Sequence, residues 1–280
     1  MTTIMPEMPE VESIRRTLNK NIRDKNIKSI NILLPRLIKF PDPDIYKHRV
    51  TGNKINNLTR RGKYLIMHLD NGVMAIFHLR MTGRLCYVKK GTSEDKYKRI
   101  IFNLDNNDKL IYADTRTLGT LYAIKPEEIN KISGLYTLGC EPLSKEFTLK
   151  YLREKLKNSH GKIKPFLLNQ KNIAGLGNIY VDESLFLSGI NPKQNCNTVS
   201  LNQIKLLHTA INKVIGDGIR DGGTTFRDYV NGDGNKGTHQ NNLFVYGRDK
   251  MACQKCGTII EKIKVGGRGT CYCPKCQKLR

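Results

Sequence analysis

Cys253-Gln-Lys-Cys256 and Cys273-Pro-Lys-Cys276 are two Cys-x2-Cys pairs with sixteen residues between them. Each pair can present two thiolates from one tight turn to a single tetrahedral ion, and this spacing is that of four-cysteine zinc sites. Disulfides are the alternative, but a cytosolic protein rarely keeps them. The spacing predicts one Zn²⁺ per chain, structural because four thiolates leave no open coordination position. Cys271 offers a second, less regular spacing.

The charge of the chain points to a polyanionic partner. Lys and Arg total 48 against 25 Asp and Glu, a net charge of +23. Residues 247–280 alone carry nine basic and two acidic side chains, without a helical pattern between the cysteine pairs. A β-hairpin ribbon that contacts nucleic acid is the interpretation we favour. The alternative is a lysine-rich surface that reflects genome composition.

The part before the ribbon has helical periodicity. Helices are expected over residues 148–157, 165–174, 179–188 and 201–220. Gly175-Leu-Gly-Asn178 joins the second of these to the third, and helix amides that follow such glycines can approach a phosphate. His160, Lys162 and Lys164 lie just upstream. A lone Gly-x-Gly is weak evidence, so an ordinary interhelical turn stays open.

The first 135 residues are rich in strand signals and begin with one helix, at Pro9. Asp70-Asn-Gly72 and the turn at residues 105–108 each separate two apolar runs, which predicts two hairpins in a sandwich or barrel. The segments His78–Gly83 and Asp114–Gly119 each place an apolar residue beside an arginine. Such residues can insert between DNA base steps. From the pattern alone we favour core packing of Met81 and Leu118.

Several motifs, in order along nearly the whole chain, resemble bacterial formamidopyrimidine-DNA glycosylases of the formamidopyrimidine-DNA glycosylase/endonuclease VIII family. The motifs are Met5-Pro-Glu-Met-Pro-Glu-Val-Glu12, Arg60-Arg-Gly-Lys-Tyr-Leu65, His78–Gly83, Asn169-Gln-Lys171 with Gly175–Tyr180, Gly222-Gly-Thr-Thr225, Val245-Tyr-Gly-Arg248 and the cysteine pairs. The start and the loop after Gly222 are more similar to the branch that acts on purine lesions.

The resemblance implies an α+β multidomain fold. Residues 1–135 would form a β-sandwich with an N-terminal helix, and residues 136–146 a linker. Residues 147–240 would form a helix–two-turn–helix domain with a lesion-recognition loop, and residues 241–280 a β-hairpin zinc finger. A monomer is expected to bind double-stranded DNA that contains oxidised bases or abasic sites, with the damaged base flipped out between the domains. Neither a membrane span nor a signal peptide is expected, which suggests the bacterial cytosol and nucleoid.

The resemblance also implies the chemistry, in which the amine of an N-terminal Pro6 attacks C1′ and strand cleavage by β,δ-elimination follows. The catalytic residues would be Pro6, Glu7, Lys63 and Arg268. The DNA-binding residues would be His78, Met81, Arg116, Leu118, His160, Lys164 and Asn178. An α-amine has a pKa of about 8 and a lysine side chain one of about 10.4. At pH 7 about 10% of the α-amine is therefore neutral, against about 0.04% of the lysine. Leu118 stands where phenylalanine is usual in this family.

Residues 1–5 precede Pro6, whose nitrogen is a non-nucleophilic amide while they remain attached. We expect translation to begin at Met5, whose removal frees Pro6. Four alternatives remain open: a non-catalytic lesion binder, an enzyme that uses Lys63 or another lysine as its nucleophile, an oxidised-pyrimidine glycosylase of the endonuclease VIII type, and a generic zinc-ribbon binder.

Overall fold

The structure is a computed structural model that describes residues 5–226 and 229–279. It contains two compact units, each made of two stretches of chain. The first unit comprises Met1–Tyr136 and Asp221–Thr238, and the second comprises Thr137–Arg220 and His239–Arg280. Within the described ranges, no helix is both long and apolar enough to cross a membrane.

The first unit is a β-sandwich preceded by a helix. Its elements are α1 (Met8–Ile22), β1 (Ile27–Ile32), β2 (Ile38–Phe40), α2 (Pro43–Val50), β3 (Ile55–Arg61), β4 (Tyr64–Leu69), β5 (Met74–His78), β6 (Gly83–Val88), β7 (Lys98–Leu104), β8 (Lys109–Asp114), β9 (Thr120–Ile124) and α3 (Ser133–Tyr136). In the described part of the chain, one sheet has the strand order β1-β7-β8-β6 and the other β2-β9-β5-β4-β3.

The core of this unit lies between the two sheets. Phe77 on β5 packs edge-on against Phe102 on β7, with ring centroids 5.9 Å apart, and stacks on Tyr112 of β8 at 6.4 Å. Helix α1 adds Val11, Ile14, Leu18 and Ile22 to the same apolar cluster. Their i, i+3, i+7 and i+11 spacing places all four on one face of the helix. Truncation of such a residue to alanine costs about 2–5 kcal/mol, so the start of α1 is firmly held.

The segment 221–238 packs with the sandwich, although we predicted it within residues 147–240 of the helical domain. The Tyr229 hydroxyl donates to the carbonyl of Glu10 at 3.2 Å, and the Gly232 N–H donates to the Thr17 hydroxyl at 2.9 Å. A Cβ at Gly232 would overlap the side chains of Thr17 and Leu18. Contacts this distant in sequence leave no local signal, so this packing could not be predicted from the pattern.

The second unit combines four helices with a two-stranded ribbon. Its elements are α4 (Leu149–Lys157), α5 (Ile163–Leu168), α6 (Asn178–Leu187), α7 (Leu201–Arg220), β10 (Glu261–Val265) and β11 (Arg268–Tyr272). Helix α5 ends at Leu168, six residues before the predicted end. Ile173 instead forms an isolated bridge with Cys140, and Asn172 donates to the Phe166 carbonyl at 3.0 Å.

Two adjacent buried acids of α6 anchor the ribbon and the chain that leads into it. Asp182 accepts a hydrogen bond from the Cys271 N–H at 2.9 Å. Glu183 accepts from the backbone N–H groups of residues 244, 245 and 246 at 2.8–2.9 Å. Because a buried carboxylate is stable only when hydrogen-bonded, these contacts fix α6 and the ribbon relative to each other. The sandwich, helical unit and ribbon confirm the predicted α+β fold class.

Candidate active site and nucleic-acid interface

The chain enters α1 through buried residues. Pro6 is buried and Glu7 is only 2% exposed. The Glu7 N–H donates to Oε2 of Glu10 at 2.9 Å, which begins the helix. The other oxygen of Glu10 accepts from the Thr224 N–H at 2.7 Å. One carboxylate therefore joins the start of α1 to the segment 221–238.

Lys63 and His78 lie at one end of the five-stranded sheet. Gly62, with φ of 58°, turns the chain between β3 and β4 and places Lys63, 5% exposed, directly before Tyr64. Tyr64 is paired with His78 on β5, and their rings meet edge-on at 4.6 Å. The two candidate residues are therefore neighbours across an antiparallel ladder.

His78 is held as a neutral imidazole. Its burial, followed by the charges of Arg80 and Lys63, lowers its pKa from about 6.5 to about 3. Its Nδ1 accepts the Arg80 N–H at 3.2 Å, so Nε2 carries the hydrogen of the neutral ring. A neutral N–H donor on Nε2 suits a phosphate oxygen as its acceptor.

Met81, Arg116 and Leu118 lie on two turns that run from one sheet to the other. We call residues 79–82 turn A, between β5 and β6, and residues 115–119 turn B, between β8 and β9. Arg116 is exposed, Met81 is half-buried and Leu118 is 48% exposed. Core packing, which we favoured from the pattern, is wrong for Leu118.

In the second unit, the start of α6 and the ribbon meet at Gly269. Asn178 is the first residue of α6, and its Nδ2 donates to the Gly269 carbonyl at 3.0 Å. A two-glycine turn, Gly266 and Gly267, both with positive φ, joins β10 to β11 and leaves Arg268 exposed. Asn178 therefore binds the residue that directly follows Arg268.

Lys164 does not lie where we predicted. Its ammonium is fully buried, 2.6 Å from Asp182 and 3.0 Å from the Gly269 carbonyl. This burial argues against a direct DNA contact, because a phosphate has no access to the charge. The Lys164 ammonium instead donates to the carbonyl of Gly269, which directly follows Arg268. The pKa of Asp182 is raised to about 6 by burial, an effect that Lys164 opposes. His160, in contrast, is exposed, with Nδ1 3.4 Å from the Asn197 amide.

The four predicted zinc ligands come together. The Sγ atoms of Cys253, Cys256, Cys273 and Cys276 all lie within 4.8 Å of one another. A tetrahedral Zn²⁺ with Zn–S bonds of about 2.3 Å needs sulfurs about 3.8 Å apart, so the set fits one ion. Bound zinc would cross-link the two cysteine-bearing segments, residues 253–256 and 273–276. Cys271 is buried too, but among the described residues it does not belong to this group of close sulfurs, which supports the regular spacing.

Three residues of the interface were missed by sequence reasoning: Asp114, Thr82 and Asp182. Each is buried and polar. Thr82 and Asp114 both accept a hydrogen bond from the Arg116 N–H of turn B, whereas Asp182 accepts one from Cys271 on β11, the strand that begins at Arg268. The one available signal was position, because Asp114 ends a strand immediately before turn B.

Comparison with known proteins covers most of the chain. Residues 5–121 match the formamidopyrimidine-DNA glycosylase N-terminal domain, residues 138–230 its H2TH domain, and residues 252–279 a zinc finger found in FPG and IleRS. A formamidopyrimidine-DNA glycosylase of Bacillus licheniformis is 44% identical over 98% of this chain and 100% of its own length. One from Pelotomaculum thermopropionicum is 41% identical over 99% and 100%.

Solved structures agree with these relatives. A complex of a Lactococcus lactis FPG variant with Fapy-dG-containing DNA has a TM-score of 0.92 and 40% identity over 98% of this chain and 100% of that one. A Lactococcus lactis Fpg complex with abasic-site DNA has a TM-score of 0.91 and 39% identity, over 97% and 99%. The fold and the site define a DNA glycosylase of base-excision repair. Within that class, the chain belongs to the formamidopyrimidine-DNA glycosylase family.

Proposed function

We propose that the chain excises oxidised purines, 8-oxoguanine and formamidopyrimidines, from double-stranded DNA and then cleaves the strand as a lyase. The observation that carries the proposal is the buried Pro6-Glu7 start of α1, in the same unit as buried Lys63 and neutral His78. The bacterial relatives, and the Fapy-dG and abasic DNA in their structures, support this substrate class. The DNA of the nucleoid is the proposed place of action.

The reaction begins at the nitrogen of a chain that starts with Pro6. The neutral amine bonds to C1′, the bond from C1′ to the base breaks, and the base leaves with a proton. Ring opening breaks the C1′–O4′ bond, and Glu7 donates the proton that O4′ takes up. The product is an iminium between Pro6 and C1′, which withdraws electrons from the sugar.

Elimination then cleaves the strand on both sides of the sugar. Loss of a C2′ proton breaks the C3′–O bond, and a later proton loss at C4′ breaks the C5′–O bond. Lys63 is proposed to serve the first elimination and Arg268 the second, and both also bind phosphate. His78 and Asn178 add phosphate contacts, and His160 is an exposed further candidate. Met81, Arg116 and Leu118 would fill the space left by the flipped nucleotide.

Covalent catalysis requires the free nitrogen of Pro6. The match to the family's N-terminal domain begins at residue 5, which supports Met5 as the residue removed to expose Pro6. A non-catalytic lesion binder is the alternative if residues 1–5 stay attached.

The test is intact mass combined with borohydride trapping on an 8-oxoguanine duplex. We expect protein expressed from Met5 to have a mass that begins at Pro6 and to form a covalent adduct. Protein that retains residues 1–5 should bind the duplex without an adduct. An adduct of equal yield from the extended protein would contradict the proposal.

Two variants identify the nucleophile. Pro6→Gly should lose most of the trapped adduct, whereas Lys63→Ala should still form it with the intact lesion and eliminate more slowly. The reverse result would assign the attack to Lys63. A Lactococcus lactis complex contains an oxidised pyrimidine, so such a duplex belongs in the same series. A preference for it would favour endonuclease VIII-type specificity.

A further inference from the structure

Turns A and B lie side by side, because the strands on both of their ends are paired. On one side Gly83 is paired with Asp114, where turn A ends and turn B begins. On the other side His78 is paired with Thr120. The two turns therefore cross between the sheets side by side and in opposite chain directions, and they carry the three proposed DNA-inserting residues.

One buried carboxylate connects the two turns. Oδ1 of Asp114 accepts from the Thr82 hydroxyl of turn A at 2.5 Å and from the Arg116 N–H of turn B at 3.2 Å. Its Oδ2 accepts from the Gly119 N–H at 2.9 Å. The Thr82 hydroxyl also accepts the Arg116 N–H at 3.0 Å. Asp114 itself is fully buried.

Tyr112 fills the space beneath this network. Its hydroxyl lies 3.5 Å from Oδ2 of Asp114. A Cβ on Gly83, directly after turn A, or on Gly119 of turn B would overlap that hydroxyl, so the chain approaches it at both positions as closely as glycine allows. The Tyr112 ring therefore covers one side of the network.

Each turn contains one non-glycine residue in the left-handed region, directly before an inserting residue. Arg80, with φ of 55°, precedes Met81, and Thr117, with φ of 53°, precedes Leu118. Left-handed backbone is unfavourable for ordinary residues, especially β-branched threonine, and persists only where surrounding contacts enforce it. The hydrogen bonds of Asp114 to residues 116 and 119 bracket Thr117 on both sides.

We propose that Asp114, acting through Thr82, is the positioning residue that holds turns A and B in their DNA-inserting conformation before DNA binds. This inference rests on the proposed function. Prior ordering lowers the entropy cost of binding, and only DNA with a gap to fill gains from inserted side chains. Asp114 should therefore determine discrimination between lesion and undamaged DNA, although it touches neither.

The test uses three variants. Thr82→Val and Asp114→Asn disrupt the network, whereas Thr82→Ser keeps the hydroxyl, and both changes at residue 82 keep the side chain small. Affinity is measured for a duplex with a stable abasic analogue and for the undamaged duplex. A 2-aminopurine beside the lesion reports insertion through its fluorescence. Asp108→Asn, at the opposite end of β8 where its carboxylate accepts the Lys90 N–H, is the matched control.

We expect Thr82→Val and Asp114→Asn to weaken abasic-duplex binding about tenfold, or about 1.4 kcal/mol, and to reduce the fluorescence change. Affinity for undamaged DNA should stay unchanged, and Thr82→Ser and Asp108→Asn should behave as wild type. Equal weakening for both duplexes, together with a lower unfolding temperature, would mean a merely structural role and overturn the inference. Wild-type behaviour of Thr82→Val would also overturn it. A wild-type protein that shows no lesion preference would contradict the proposed function itself and remove this inference with it.

Discussion

His78 combines a buried ring with the charges of Arg80 and Lys63, and its pKa is lowered to about 3 by burial first and by those charges second. In the unfolded chain an ordinary histidine has a pKa near about 6.5. Between these values the unfolded chain binds a proton that the folded chain does not. The stability contribution is thus complete above pH 6.5 and is lost as the pH falls towards 3.

Replacement of His78 by glutamine should flatten this dependence. Wild-type protein should lose about 2 kcal/mol of unfolding free energy at pH 5 through this histidine, and His78→Gln should not lose that increment. Urea unfolding at pH 8 and pH 5 measures the difference. His48→Gln, an exposed histidine on α2, is the control and should retain the wild-type slope. Identical slopes for wild type and His78→Gln would rule out the neutral buried ring.

Single residues were predictable where chemistry requires a particular type at a particular spacing, as for the four cysteines. Burial was not predictable, because it depends on residues far along the chain. Lysine is a residue type that commonly binds phosphate, but Lys164 is enclosed by Asp182 and Gly269. Leucine is a typical core residue, but Leu118 is half-exposed.

Among the elements, the buried pair of Lys164 on α5 and Asp182 on α6 joins two helices to β11. Lys164→Met should destabilise the protein by about 3–5 kcal/mol, because it leaves a buried carboxylate without its cation. The double change Lys164→Met with Asp182→Asn should recover most of this loss, since asparagine still accepts the Cys271 N–H. Chemical denaturation of the three proteins measures the coupling.

The control is the exposed pair Lys213 and Asp217 on α7, 2.8 Å apart. Lys213→Met should change the unfolding free energy by less than about 0.5 kcal/mol. If Lys164→Met lowers the free energy of unfolding no more than Lys213→Met does, the Lys164 ammonium does not stabilise the attachment of the ribbon.

Zinc should be required to hold the ribbon together. One zinc per chain should be measured by elemental analysis, and Cys276→Ser should lower that content and weaken DNA binding, because the ribbon turns lose their cross-link. Cys196→Ser, a buried cysteine outside the cluster, should keep full zinc content. Full occupancy in Cys276→Ser would contradict the four-thiolate site.

For the whole molecule, the net charge of +23 predicts steep salt dependence. For about six neutralised phosphates, affinity for DNA should fall about a thousandfold between 50 and 200 mM salt. Arg268→Ala should reduce the slope of log affinity against log salt by about 1, whereas Leu118→Ala should leave that slope unchanged. Fluorescence anisotropy titrations at several salt concentrations supply the slopes. Equal slopes for wild type and Arg268→Ala would remove Arg268 from the phosphate contacts.

The overall architecture was predictable because sandwich, helices and ribbon each have a local pattern of apolar residues, turns or cysteines. The path of the segment 221–238 was not, since its partners Glu10 and Thr17 lie more than two hundred residues away. Few apolar residues mark this segment, and its place depends on backbone hydrogen bonds that a composition pattern does not encode.

The return of residues 221–238 to the first unit also sets an order of events during synthesis. The chain passes between the two units at three places, near residues 136, 220 and 238. A nascent chain can therefore pair the nine described strands of its sandwich early. It cannot complete the first unit, in which the Thr224 N–H donates to Glu10, until the ribosome has delivered the helical part as well. Recombination between relatives is constrained in the same way, because a chimera joined at a single crossover near residue 136 inherits Glu10 from one parent and Thr224 from the other.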